Sequence, residues 1–583
     1  MTATVRADVD IVSSATYFGD PQAPLFGVVS RPADDLVRGG IVVCGSLGKE
    51  HAQTPRGMKY LAEHLAARGF LVLRFDYANT GESAGPQQDP HAVDRWMASI
   101  RTAVDTVREF GVPDVGVIGL RAGALLITQD AELVADLDTL VLWDPVAKGR
   151  QFVRAQKALY TVISSADADA SVADVAEDPD RDLVNLAGQT LHADAAAQLS
   201  AMRLRTEPVT ARPAGTTVAF LRETDQTGAV ATALTDAGTP VESCGDPTYF
   251  LEPMNPSYVS IPEELDQIVE WFDQRYADAA PRAVTVDTQP QAIVAHTVDG
   301  RPIETRVYTA PSGAVVWDTA IAGHHDAADK VVISHSIGHD SRIGPARLWA
   351  ELSLDVASRG GRMLRFDRVG VGESGRARKA DVFIDLYTDG YVARGVQIME
   401  SLRLPAGAQV VHTGICVGSW MSAHAALNTR EVLGQNVSPT AVLVNPLMWR
   451  LRPGITYSPR ALEFNTFGSR ARRRLIQLVG EYATPTIRRL TPRRWHDTIG
   501  RAPILQMPEA LCDSLWAHGA QLALVLGPED YAYFDSLGGP RALATGRAQV
   551  RITRSSEGDH SAYNARLRAA AKQACLDALD LTS

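Results

Sequence analysis

Cysteine is sparse and scattered in this chain, with five residues at positions 44, 244, 416, 512 and 575 among 583. An odd count with no C-x-x-C spacing excludes a disulfide framework and a cysteine-ligated zinc site. Long apolar runs are missing too: nothing approaches the ~18 residues of a membrane helix, and Met1 to Pro21 lacks the basic start and apolar stretch of a secretion signal. The chain therefore reads as cytoplasmic, with no membrane span. No P-loop, no Gly-x-Gly-x-x-Gly opening a helix and no metal-ligand spacing occurs, so no tightly bound cofactor or metal is expected. Excess positive charge is also absent. At a net charge of −11 the composition argues against a general nucleic-acid partner, because counterion release needs clustered cations.

What is present is a repeat. A length of 583 residues exceeds what one hydrophobic core serves, and the same order of features occurs twice. Ile41-Val-Val-Cys44 leading to Gly48 matches Lys330-Val-Val-Ile333 leading to Gly338. Leu73-Arg-Phe-Asp76 before Gly81-Glu-Ser83 matches Leu364-Arg-Phe-Asp367 before Gly372-Glu-Ser374, and helix-period stretches from Arg56 to Arg68 and Arg347 to Arg359 lie between. Gly119-Leu-Arg121-Ala-Gly123 matches Gly414-Ile-Cys416-Val-Gly418, and Val141-Leu-Trp-Asp-Pro145 matches Val442-Leu-Val-Asn-Pro446. Strands alternating with helices imply parallel sheets wound by right-handed crossovers. The expectation is an α/β protein of two similar domains, 1–280 and 281–583. Their boundary falls near Ala277 to Gln291, where Ala, Pro, Thr and Asp replace helical periodicity.

A Gly-x-X-x-Gly five-mer between strand and helix is the pattern of a nucleophile elbow, in which small flanking residues let a strained turn lift the central side chain. In the second half that residue is Cys416, whose thiol can attack an acyl carbon once a base takes its proton. The chain order nucleophile, acid, histidine selects His560, after the strand-like Gln549 to Thr553, and Asp530, after Gln521 to Leu526, with Glu529 in reserve. The expected oxyanion donors are the backbone amides of Val417 and of Ile337 in Ser336-Ile-Gly338, with Ser336 on the substrate side. His335 beside that loop is open to an assisting or a structural role, while His412 and His518 suit packing. Each choice has a plainer alternative: a buried structural thiol, a surface histidine, a helix-capping aspartate. In the first half the central residue is Arg121, a permanent cation. No histidine occurs in Cys244 to Pro253, where a base belongs, and Glu223 and Asp225 alone cannot run acyl transfer. That domain reads as catalytically inactive, with an anchoring or substrate-shaping role.

These residues resemble α/β-hydrolases of the serine-aminopeptidase type, and more narrowly the paired exosortase A system-associated hydrolases. Arg342-Ile-Gly-Pro345, Leu364-Arg-Phe-Asp367 and Gly414-Ile-Cys416 are similar to the type with a Gly-Leu-Cys elbow. Gly119-Leu-Arg121-Ala-Gly123, Val141-Leu-Trp-Asp-Pro145 and Gly149-Arg-Gln-Phe152 are similar to its companion with a Gly-Leu-Arg elbow. The Gly-x-Cys-x-Gly elbow is also similar to those of polyhydroxyalkanoate synthases and dienelactone hydrolases. The resemblance implies two tandem α/β-hydrolase domains fused in one chain, each a mostly parallel sheet flanked by helices with a lid insertion. It also implies a cysteine hydrolase or acyltransferase near polysaccharide or secondary-metabolite biosynthesis.

Lids are expected at about 149–215 and 450–518. From Arg450 to Arg501 there are twelve arginines against three acids, whereas Asp167 to Asp182 holds seven acids and one arginine. Arginine suits phosphate-bearing anions. Arg472, Arg473 and Arg474 are therefore candidate contacts for a carrier-protein phosphopantetheine or a coenzyme A thioester, beside the plainer reading of a solvated or interdomain charged face. The functional expectation is hydrolysis or transfer of an ester or thioester acyl group through a Cys416 acyl-enzyme. The alternative is a non-catalytic scaffold or binding protein, and the sequence leaves the oligomeric state open.

Overall fold

The structure is a computed structural model that describes residues 10–164, 182–245, 248–251, 261–336, 338, 340–379, 387–451, 486, 490–492, 495, 507–544 and 550–581. Most of the acidic stretch of the first insertion, and nearly all of the arginine-rich one including Arg472, Arg473 and Arg474, lie outside the described residues. No described helix is long and apolar enough to cross a membrane.

Two large sheets carry the chain. The first runs, edge to edge, through Ile11–Phe18, Leu25–Pro32, Phe70–Phe75, Gly39–Cys44, Val115–Leu120, Thr139–Trp143, Thr217–Arg222 and Val241–Cys244. The second repeats that order with Pro302–Thr309, Val315–Ile321, Arg362–Asp367, Lys330–His335, Gln409–Ile415, Ser438–Val444, Gln521–Leu526 and Val550–Arg554, and adds Gln291–His296 at its outer edge. In each, an antiparallel hairpin leads into a parallel sheet. Both are mixed, mostly parallel sheets flanked by helices.

Parallel strands covered on both faces must be apolar on both, and Ile41, Val42, Leu140, Val141, Val331 and Val332 are fully buried. Helices Pro55–Ala67 and Ala92–Glu109 flank the first sheet, and Leu348–Ser358 and Val417–Leu433 the second. The strands Val115–Leu120 and Gln409–Ile415 have parallel neighbours on both sides. Residues just beyond them therefore sit at the carboxyl edge, where open α/β sheets bind ligands.

The repeated Gly-Glu-Ser turns join the domains. Asp76 and Asp367 each accept the amide of the turn glutamate, Glu82 at 2.8 Å and Glu373 at 2.9 Å. Each glutamate then crosses to the other domain, where Arg365 holds Glu82 at 2.6 and 2.8 Å and Arg74 holds Glu373 at 3.0 and 2.8 Å. The two bidentate pairs form a self-complementary interface within one chain, the arrangement of a two-fold dimer. Arg342 reinforces it by pairing with both Glu82 and Asp367 and stacking on Trp317 at 3.3 Å.

The boundary segment is not a free tether. Arg282–Ala283 pairs with Leu36–Val37, Val284 packs into the first core, and Gln289 bonds backbone and side chain of the first strand.

Candidate active site

At both elbows the central residue is strained in the same way: Cys416 has φ 56° and ψ −116°, Arg121 φ 53° and ψ −114°. Such backbone costs about 1–3 kcal/mol and persists only where its surroundings dictate it. The glycines show how. A Cβ on Gly418 would lie 2.3 Å from the His335 carbonyl oxygen, one on Gly123 2.4 Å from that of Cys44, and one on Gly414 2.5 Å from Gly418. Only glycine lets the helix start so close to the neighbouring strand. Beyond the motif, Ser419 Oγ hydrogen-bonds the Gly414 and Val444 carbonyls at 2.7 and 2.6 Å, tying the turn shut.

The structure brings His560 and Asp530 together. Nδ1 of His560 bonds Asp530 Oδ1 at 2.7 Å, with Asp530 buried in the first turn of helix Pro528–Ser536. Glu529, one residue earlier, is exposed. Nε2 of His560 is buried with no hydrogen-bond partner among the described residues, and Cys416 lies close enough to act on the charge of the ring. Burial alone would lower the His560 pKa, but the bond to Asp530 and the nearby thiol outweigh it and raise it to about 11. Cys416 is buried, at 6% exposure.

Two residues that the motif search did not assign a role hold the histidine loop. Asn445, itself at positive φ, accepts the Gly527 amide at 2.8 Å and donates to the Asp559 and His560 carbonyls, each at 3.0 Å. Asp559 accepts the amides of Ser561, Tyr563 and Asn564 at 2.8–3.1 Å. A signal for Asn445 existed, since it is the residue before proline at the repeated strand end, Asp144-Pro145 in the first half and Asn445-Pro446 in the second.

Val417 opens helix Val417–Leu433, so its N–H lies in the first turn, where no intrahelical acceptor exists. Ser336 is buried just past the end of strand Lys330–His335, and Ile337 lies outside the described residues. The loop that follows is braced from the first domain. Gln53 Nε2 donates to Asp340 Oδ1 at 3.1 Å and to Tyr563 Oη at 3.2 Å, bridging this loop to the histidine loop. Arg347 spends its guanidinium on the carbonyls of Asn79, Gly81, Ser83 and Gly85.

His335 and His412 are fully buried against each other at 3.3 Å, and burial pushes His335 down to about 3, leaving it a neutral packing group. His518 is exposed and bonds the Ser514 carbonyl.

Around Arg121 the chemistry differs. Its Nε and Nη2 meet Glu50 at 3.3 and 3.1 Å, and Nη1 approaches Asp144 at 3.4 Å. Arg222 in turn grips both Asp144 oxygens at 2.8–3.0 Å. Glu223 and Asp225 form an exposed turn.

No protein-family model matches the chain, and no curated protein matches it. Among solved structures it is similar to brefeldin A esterase, a bacterial homologue of human hormone sensitive lipase, at 17% identity and a TM-score of 0.29, covering 48% of this chain and 80% of that one. It is also similar to a proline iminopeptidase from Mycobacterium smegmatis at 13% identity and a TM-score of 0.30, covering 46% and 100%. An esterase from Rhizomucor miehei gives 13% identity and a TM-score of 0.29, covering 47% and 85%.

Proposed function

We propose that the second domain hydrolyses or transfers acyl groups of esters or thioesters through a Cys416 acyl-enzyme. The observation that carries this reading is a histidine, His560, bonded to Asp530 at 2.7 Å and set close to a thiol at a strained elbow. In the reaction the Cys416 sulfur, as thiolate, adds to the acyl carbon. The oxyanion that forms is met by the Val417 amide and a second backbone amide from the loop after Ser336. When the tetrahedral adduct collapses, the bond to the leaving oxygen or sulfur breaks and His560 gives that atom its proton. Water or an alcohol then attacks the thioester while His560 takes its proton, and thiolate and acid or ester product are released. Asp530 holds the ring in the required tautomer and stabilises its cation. A thiol nucleophile suits thioester exchange, so transfer stands beside hydrolysis, in a biosynthetic role. The arginine-rich insertion, through Arg472, Arg473 and Arg474, would receive the phosphates of a coenzyme A or carrier-bound donor.

Intact-mass spectrometry after mixing wild-type and Cys416→Ala protein with simple and coenzyme A acyl-thioesters tests this. The expected result is an added acyl mass on wild type alone, formed faster from the coenzyme A donors. No adduct and no turnover of any donor would favour a scaffold of two silent hydrolase domains.

A further inference from the structure

The first domain keeps a strained elbow that no nucleophile uses. Holding a non-glycine residue there costs about 1–3 kcal/mol, and strain of this kind clusters at functional sites. Arg121 is lifted into a cavity of about 580 Å³, a volume typical of small-molecule sites. Its guanidinium is fixed from behind: Glu50 takes Nε and Nη2, and Ser46 Oγ bonds Glu50 at 2.5 Å. Nη1 is left toward Asp144, whose two oxygens Arg222 already occupies. The fork is therefore oriented without being saturated, and Arg121 remains 20% exposed.

The cavity walls define the ligand. Phe152, Leu204 and Leu221 supply apolar surface, and Lys148 and Arg203 add cations at the lining. Three carboxylates, Glu50, Asp144 and Asp225, stand against four cations, Arg121, Arg222, Lys148 and Arg203. One net positive charge suits a monoanion and disfavours a phosphate dianion, which would face those carboxylates. The Nη1 group left open donates to one carboxylate oxygen, a charge-assisted bond that a neutral ligand cannot match. We propose that this cavity binds a monocarboxylate with an apolar body, its carboxylate on Arg121. The site belongs to the first domain alone and does not depend on the chemistry at Cys416.

The test is calorimetric titration of octanoate, with octan-1-ol as neutral control, into the full-length Cys416→Ala protein. Octanoate should bind, and the alcohol should bind at least roughly tenfold more weakly, as loss of a charge-assisted hydrogen bond requires. Arg121→Met should weaken octanoate by a similar factor. Because that substitution strands Glu50 without its cation, Ala155→Trp is the second variant. Ala155 is an exposed helical position on the cavity wall, so a bulky ring there obstructs the site and spares the elbow. It should abolish binding at unchanged Tm, whereas His560→Gln should leave binding intact. Equal binding of acid and alcohol, no octanoate binding, or binding lost in His560→Gln and kept in Ala155→Trp would each overturn the proposal.

Discussion

Cys416 and Arg121 occupy the same turn of the same fold, with backbone angles within 3° of each other. What surrounds them diverges at the neighbouring strand end, where the second domain has Asn445 and the first has Asp144, both at positive φ. An amide both donates and accepts; a carboxylate only accepts. Asn445 can therefore tie the acid strand's end to two carbonyls of the histidine loop. Asp144 attracts two guanidiniums instead. One side-chain difference beside the elbow separates a frame for a base from a nest for cations. The scaffold fixes where a side chain is presented, and its neighbours decide what chemistry it can do.

The sharpest way to break this comparison is to remove the group that makes the second elbow basic. Asp530→Asn should lower kcat by about 10⁴-fold, in line with the loss of an orienting triad carboxylate. It should also change the stability profile. The His560 pKa is raised in the folded protein from an ordinary 6.5 to about 11. The stability this contributes is complete below pH 6.5 and is lost as pH climbs toward 11. Urea denaturation of wild type should thus show stability declining from pH 7 to pH 10, with a shallower decline in Asp530→Asn. Parallel profiles for the two proteins would show that Asp530 does not hold the imidazolium.

The strand order was legible because buried parallel strands must be apolar throughout, so Ile41-Val-Val and its partner Val331-Val-Ile announce themselves. The elbow was legible because close helix approach demands glycine at fixed spacing. His560 and Asp530 could be named from chain order, and they lie within a hydrogen bond of each other. The meaning of the Gly-Glu-Ser repeat was not legible. Its glutamates bond arginines 283 and 299 residues away, and no local pattern encodes a partner across a domain interface. Asn445 was seen as half of a match without its role, since its three bonds go to loops far along the chain.

The same comparison extends to the interface, where two equivalent glutamates differ in depth. Glu82 has a side-chain exposure of 2% and serves both Arg342 and Arg365; Glu373 is 11% exposed, with Arg74 and the more distant Lys59. Removing one partner from a buried pair typically costs about 3–5 kcal/mol. Glu82→Gln should fall in that range in equilibrium denaturation, and Glu373→Gln should cost less, because solvent screens what remains. Equal losses would mean that the interface is symmetric in energy as well as in geometry.

The smallest effect probes whether the first domain reaches the Cys416 site of the second. Gln53 belongs to the first domain, yet its amide joins the loop after Ser336 to the loop after His560. Gln53→Leu keeps the volume, removes both bonds and leaves the Asp530–His560 pair and Cys416 untouched. Loops that place an oxyanion donor and a base need sub-ångström accuracy, and small displacements cost rate rather than binding. The expected outcome is a fall in kcat of about tenfold, roughly 1.4 kcal/mol at the transition state, with KM and Tm little changed. A matching rise in KM would instead mean that Gln53 shapes substrate entry. An unchanged kcat would separate the two domains functionally and leave the first elbow's cations to explain why it was kept.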